Sequence, residues 1–260
     1  AISESCNNYF CTVYQRTIDK DGDAHAGMNR WSAHVKSFGL GTFLGNDLPT
    51  GRKGLIPDAS YYDRFLGYST WKGATSVSNG IGQGELVATP IQLANMTAAI
   101  ANRGYYYTPH IIRESDHGPI DSNFTVPNYT TVDSQHFEVV INGMFDVFER
   151  GTAKGARIPH ITQCGKTGTA QNPHGQDHSI FVSFAPKDQP KIALAVIIEN
   201  GYWGSRWAAP IASLMTEKYL TDTITRPALE ARMFEGDLHD EYRQQHIAIY
   251  GEDSTYQANF

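Results

Sequence analysis

The sequence predicts an α/β (α+β) fold in which an antiparallel sheet is flanked by helices. Three observations predict it. Residues 134–150 place Phe137, Val140, Ile141, Met144, Phe145 and Phe148 at the i, i+3, i+4, i+7 spacing of an amphipathic helix, closed by Gly151. Three strand candidates follow at 162–171, 179–185 and 191–199, the last two joined by Pro186-Lys187-Asp188-Gln189-Pro190, a tight-turn composition that predicts a hairpin. A further amphipathic helix over 207–220 is placed to cover one face of that sheet.

The earlier elements are read from their caps and apolar positions. Residues 5–18 read as a helix with Tyr9, Phe10, Val13 and Tyr14 as its apolar or aromatic positions. A second helix is expected over 29–37, with Asn29 as N-cap and Gly39 just past its end. Residues 40–80 are rich in Gly, Asp, Pro and aromatics without sustained periodicity, and long structured loops are often functional. Thr89-Pro90 then supplies an N-cap and an N1 proline for a helix through Ile91, Ala94, Ala98 and Ala101 that stops at Gly104. Beyond Leu220 a polar tail is expected over 221–260, partly helical or disordered, with one helical patch at 227–234.

Composition excludes several classes. The 260 residues, 40% apolar and 18% charged, suit one globular domain or most of one. A net charge of -6 without a basic run or basic-aromatic stripe argues against a nucleic-acid partner. The apolar run Ile192–Ile198 is too short to span a bilayer. The chain does not begin with Met and opens on the approach to a helix, so it is expected to be a piece of a longer protein. Cys6, Cys11 and Cys164 cannot all pair, and buried free thiols are the expectation.

Chemistry concentrates at Lys166-Thr167-Gly168-Thr169-Ala170-Gln171, because an exposed Lys-Thr-Gly on a strand can grip a carboxylate. K-T-G recurs with S-x-x-K and S-x-N elements in acyl-serine enzymes. Ser5-Cys6-Asn7 lies upstream in the order this requires, with Gly80-Ile81-Gly82-Gln83-Gly84-Glu85 between them. Competing patterns fail on particular residues. A phosphate-binding loop ending at Lys166 needs Gly where His160 stands, and a dinucleotide fingerprint needs Gly where Glu85 stands. His174 and His178 have metal-pair spacing but fall in a loop, so no metal site is expected. Ser69-Thr70-Trp71-Lys72 is a literal S-x-x-K, yet it sits in an irregular Gly-rich stretch and follows the S-x-N element, so it is rejected as the nucleophile. Gln83 and Glu85 are expected to hold their loop against the core.

These residues resemble the C-terminal part of the transpeptidase domain of class B penicillin-binding proteins, nearest the penicillin-binding protein 2 group of elongation enzymes. The resemblance covers about residues 1–220. It rests on Ser5–Phe10, Gly39–Gly41, Asn46–Pro49, Ile81–Gly84 with Ala88–Pro90, Gly151–Ala153 and Lys166–Gln171, with Phe184–Pro186, Val196–Asn200 and the final helix also fitting.

The resemblance implies a penicillin-binding/serine β-lactamase-like transpeptidase fold, N-terminally incomplete. It implies a peptidoglycan D,D-transpeptidase that forms an acyl-serine on stem peptides ending in D-Ala-D-Ala and is the target of β-lactam antibiotics. By the same resemblance Lys166 supplies positive potential and joins the proton network. Thr167 and Thr169 bind the substrate carboxylate, with Gly168 between them, and the Thr169 N–H forms half of the oxyanion hole. Ser5 relays a proton toward the leaving amine and Asn7 holds the donor amide, while Cys6 packs. No cofactor and no metal are implied. The family's S-x-x-K normally lies well upstream of S-x-N, so the chain as it stands is expected to be inactive alone. Exposed sheet surface in such a fragment leads to an expectation of dimerisation. The resemblance also implies an inner-membrane anchor with the catalytic domain outside the cytoplasmic membrane, a glycan polymerase and the rod-shape machinery as partners. A β-lactam sensor or β-lactamase-like protein, and a non-catalytic cell-wall scaffold, remain the alternatives.

Overall fold

The computed structural model describes residues 1–48, 50–68, 70–114, 116 and 118–251. Pro49, Ser69 and residues 252–260, which figure in the reading above, lie outside the described residues.

A helical layer comes first, made of α1 (Asn7–Ile18), α2 (Ala24–Lys36), α3 (Ala59–Leu66) and a 3₁₀ segment, Gly73–Ile81. Its core is Tyr14, Ile18, Met28, Ala59, Tyr62 and Trp71. α2 starts five residues before the expected Asn29, because Asp23 accepts from the Ala26 N–H and caps it there. Asn29 instead sits inside the helix and accepts from the Ala59 N–H, tying α2 to the start of α3. The stretch 40–80 is therefore not one long loop. α3 lies within it, capped by the Asp58 side chain on the Tyr61 N–H.

α4 (Pro90–Ala101) begins as expected, with Thr89 and Gln92 forming a capping box. A two-residue strand pair, β1 (Tyr105–Tyr106) and β2 (Asn128–Tyr129), leads to α5 (Phe137–Glu149). The main sheet is then β3 (Cys164–Ala170), β4 (His178–Ala185) and β5 (Ile192–Ile198), antiparallel in that order, so β3 is an edge. Thr169 lies opposite Ser179 and Gly168 opposite Ile180. α6 (Ala208–Thr221) packs on the face that carries Phe181, where Val147 and Phe148 of α5 meet Ala208, Ala209 and Ala212. Burying a side chain such as Phe181 contributes about 1.5–3 kcal/mol.

The expected tail is helical as far as the described residues go, in α7 (Pro227–Glu235) and α8 (Leu238–Tyr250). α7 coincides with the helical patch expected at 227–234, whereas α8 is too polar for its sequence to show a helical period. Both dock back onto the body. Glu217 of α6, 1% exposed, pairs with Arg226 at 2.9 Å, and Glu241 of α8 accepts from the Trp207 indole N–H at 3.1 Å. The thiols are free but not uniformly buried: Cys164 is buried and Cys11 half-buried, whereas Cys6, expected to be a packing residue, is exposed at the N-cap of α1. No helix among the described residues is long and apolar enough to cross a membrane.

Candidate active site

The site is assembled by two short segments held against β3. Ile2 packs into the clusters under α5, where a Cβ on Gly143 would lie 2.9 Å from its Cδ1. The Thr152 N–H donates to the Ser3 carbonyl at 3.3 Å, and Gly151 leaves no room for a Cβ, which would fall 2.4 Å from that same oxygen. With residues 2 and 3 fixed, the chain turns through Ser5, whose φ of 51° is left-handed and costs about 1 kcal/mol or more for a non-glycine residue. That turn delivers the Ser5 hydroxyl to Lys166.

Lys166 Nζ donates to Ser5 Oγ at 2.7 Å and to the Thr167 carbonyl at 2.7 Å. Both partners are neutral. Burial therefore lowers the Lys166 pKa to about 8, because nothing beside the ammonium compensates its lost hydration. The S-x-N and K-T-G elements, 161 residues apart, thus meet through one hydrogen bond. Asn7 stands exposed at the first position of α1.

The outer edge of β3 follows from its hydrogen bonds. In an antiparallel strand the N–H and C=O of one residue point to the same side. The Thr167 carbonyl is taken by the side chain of its own neighbour Lys166, and the Thr169 carbonyl by Gln83 Nε2 at 3.3 Å, from outside the sheet. The Thr169 N–H consequently faces outward too. Gly168 is pressed from above by Gly204, where a Cβ would lie 2.5 Å from the Gly168 oxygen. The strand position is fixed by that backbone-on-backbone contact.

Two residues reach this site that sequence reasoning did not place there. Thr152 Oγ1 lies 2.8 Å from Thr167 Oγ1, so it orients that hydroxyl. Its Gly-Thr-Ala surroundings were the only available signal. The Gln83 side chain does not hold its loop to the core as expected but crosses to β3, whereas Glu85 is tied back by the Tyr62 hydroxyl at 2.6 Å. His178 opens β4 and its Nδ1 accepts from the Asn200 N–H at 3.0 Å, which leaves it a turn-binding role. Among the described residues no group of three or more His, Cys, Asp or Glu could hold a metal ion. The Cys164 thiol is pushed up to about 12 by burial and is no nucleophile.

Comparison with known proteins is consistent over most of this architecture. The penicillin binding protein transpeptidase domain family matches residues 1–217. A peptidoglycan D,D-transpeptidase MrdA of Acinetobacter baumannii is 36% identical over 243 residues, covering 85% of this chain and 34% of the relative. The crystal structure of Pseudomonas aeruginosa PBP2 in complex with WCK 5153 is similar with a TM-score of 0.73 and 35% identity, over 85% of this chain and 48% of that one. The complex between PBP2 and MreC from Helicobacter pylori is similar with a TM-score of 0.70 and 26% identity, over 86% of this chain and 40% of that one. The chain therefore spans about a third of the length of the curated relative it matches.

Proposed function

This chain belongs to the penicillin binding protein transpeptidase domain family, and we propose that it forms the carboxylate-binding wall and proton-relay side of a peptidoglycan D,D-transpeptidase cleft. The observation that carries this reading is the 2.7 Å bond from Lys166 Nζ to Ser5 Oγ, which joins the two motif elements into one site. The activity belongs to the protein in which this chain accompanies a nucleophile-bearing segment like those of its longer relatives.

In that protein the donor stem peptide, ending in D-Ala-D-Ala, lies along the outer edge of β3. Its terminal carboxylate meets the Thr167 and Thr169 hydroxyls and the positive field of Lys166. The scissile carbonyl points at the Thr169 N–H, a preorganised donor aimed where negative charge develops. Lys166, with a pKa near 8, exchanges protons at neutral pH far more readily than an ordinary lysine, and Ser5 passes a proton from it toward the leaving amine. Asn7, exposed beside Ser5, holds the donor amide. An amine of a neighbouring strand then takes the acyl group. β-Lactams present the same carboxylate and reactive carbonyl and stop at the acyl-serine.

The name of the Acinetobacter relative favours cross-linking over the sensor, β-lactamase and scaffold readings. The Helicobacter complex supports a rod-shape partner of the MreC kind for this protein as well. A glycan polymerase partner and a membrane anchor outside these helices follow from the family resemblance.

Exposing the full-length protein to a fluorescent penicillin tests the reading. The expected result is one covalent adduct, mapped by mass spectrometry to a serine upstream of Ser5, and none on the 260-residue chain alone. An unlabelled full-length protein would overturn it.

A further inference from the structure

The loop Gly80–Glu85 is the motif that the proposed chemistry leaves without a task. It is built with care. Gly82 and Gly84 both take left-handed φ values, 79° and 73°, and a Cβ on Gly84 would lie 2.9 Å from Asn79 Oδ1. The Gln83 N–H donates to the Ser78 carbonyl at 3.1 Å. Below the loop, Tyr62 donates to Glu85 at 2.6 Å, and Tyr14 and Ser76 share a hydrogen bond at 3.0 Å. With the Asn79 amide turned to satisfy its neighbours, its nitrogen donates to the Gln83 carbonyl and to Glu85, each at 3.2 Å. A buried network spanning α1, α3 and the 3₁₀ segment therefore fixes the backbone of one half-exposed glutamine.

The side chain of that glutamine spans from the helical layer to the sheet and donates to the Thr169 carbonyl at 3.3 Å. The contact closes over the β3 edge along which the donor peptide is placed. A ligand strand added to an antiparallel edge exchanges both an N–H and a C=O with the residue opposite. If the scissile carbonyl takes the Thr169 N–H, the N–H of that same penultimate D-Ala must take the Thr169 C=O. Gln83 already holds it.

We infer that Gln83 is a latch on the donor site, whose side-chain amide competes with the penultimate N–H of the donor for the Thr169 carbonyl. The inference rests on the transpeptidase reading. Gln83 touches no reacting atom; it is a positioning residue that raises the threshold for donor entry. Ligands able to offer an N–H at that position displace it, and ligands without one leave it in place. The latch thereby selects for a peptide donor.

The test uses the full-length protein and two peptide donors. One ends in D-Ala-D-Ala; in the other D-lactate replaces the penultimate D-Ala, so that an ester oxygen stands where the N–H was. Gln83→Ala and Gln83→Met are compared with the parent, the methionine keeping bulk while removing the donor. For the first donor both variants are expected to lower KM about two- to tenfold, the range of one exchanged neutral hydrogen bond, with kcat unchanged. For the ester donor KM should be unchanged. Equal shifts for both donors, or no shift for the first, would overturn the latch. Penicillin labelling of the parent protein keeps the two readings apart. Absence of label sinks the transpeptidase itself, whereas a labelled parent with equal shifts sinks the latch alone.

Discussion

Lys166 in the cleft and Glu217 at the α6–α7 junction are both ionisable groups withdrawn from water, and the pKa of each is lowered. The causes are opposite. For Glu217 burial pushes the pKa up, but two hydrogen bonds from Thr225, at 3.0 Å and 2.5 Å, and the Arg226 guanidinium outweigh it and hold the carboxylate charged. Lys166 has only a hydroxyl and a carbonyl beside it, so burial acts unopposed and its charge is destabilised. A buried charge with its counter-charge fastens a fold. One without loses its proton more readily than a solvated lysine does.

The largest expected effect breaks the cleft side of this comparison. Lys166→Met in the full-length protein should slow penicillin acylation about 10²–10⁴-fold, the usual worth of a positioned proton-transfer group, while leaving thermal stability intact or slightly higher. Acylation within a factor of ten of the parent would remove Lys166 from the proton network. Next, Glu217→Ala strands Arg226 and should cost about 3–5 kcal/mol in a urea titration. Acylation per folded molecule should not change, and a loss there would mean that the junction and the cleft are coupled.

The smallest effect is in pH dependence, where stability rises with pH at both sites but in windows at opposite ends of the scale. Lys166 has a folded pKa of about 8 against a usual 10.5, so the folded state sheds its proton first and stability rises with pH between those values. Glu217 lies below its usual 4.5, so its contribution is complete above that pH and is lost as pH falls through the folded value. Urea midpoints measured across both windows should lose the alkaline rise in Lys166→Met and the acid fall in Glu217→Ala.

What the sequence revealed follows from the range of the interactions involved. α5 and the β3–β4–β5 sheet were legible because their apolar residues repeat at the period of the element and face a single core. α2 was placed too late because Ala24–Met28 carries little apolar signal and the cap, Asp23, precedes it. α3 was missed as eight residues inside a Gly- and Asp-rich stretch, and α8 because its only buried residue is Tyr242. The site divides in the same way. Lys166, Thr167 and Thr169 stand together on one strand and announce themselves. That Ser5 and Lys166 share one site came through family resemblance, since no local pattern links residues 161 positions apart; the bond between them is visible only in the structure. Thr152 and Gln83 act through contacts 15 and 86 positions distant, and neither residue type marks a site by itself.

The outward edge of β3 has an evolutionary consequence. The groups that would recognise the donor at Thr169 are main-chain atoms; no substitution deletes a peptide C=O, and only proline deletes the N–H. On the transpeptidase reading, antibiotic selection cannot edit them directly. Variation that separates drug from natural substrate has to move the strand instead, through the residues that set its height and reach. Here those are Gly204 pressing on Gly168 and Thr152 steering Thr167.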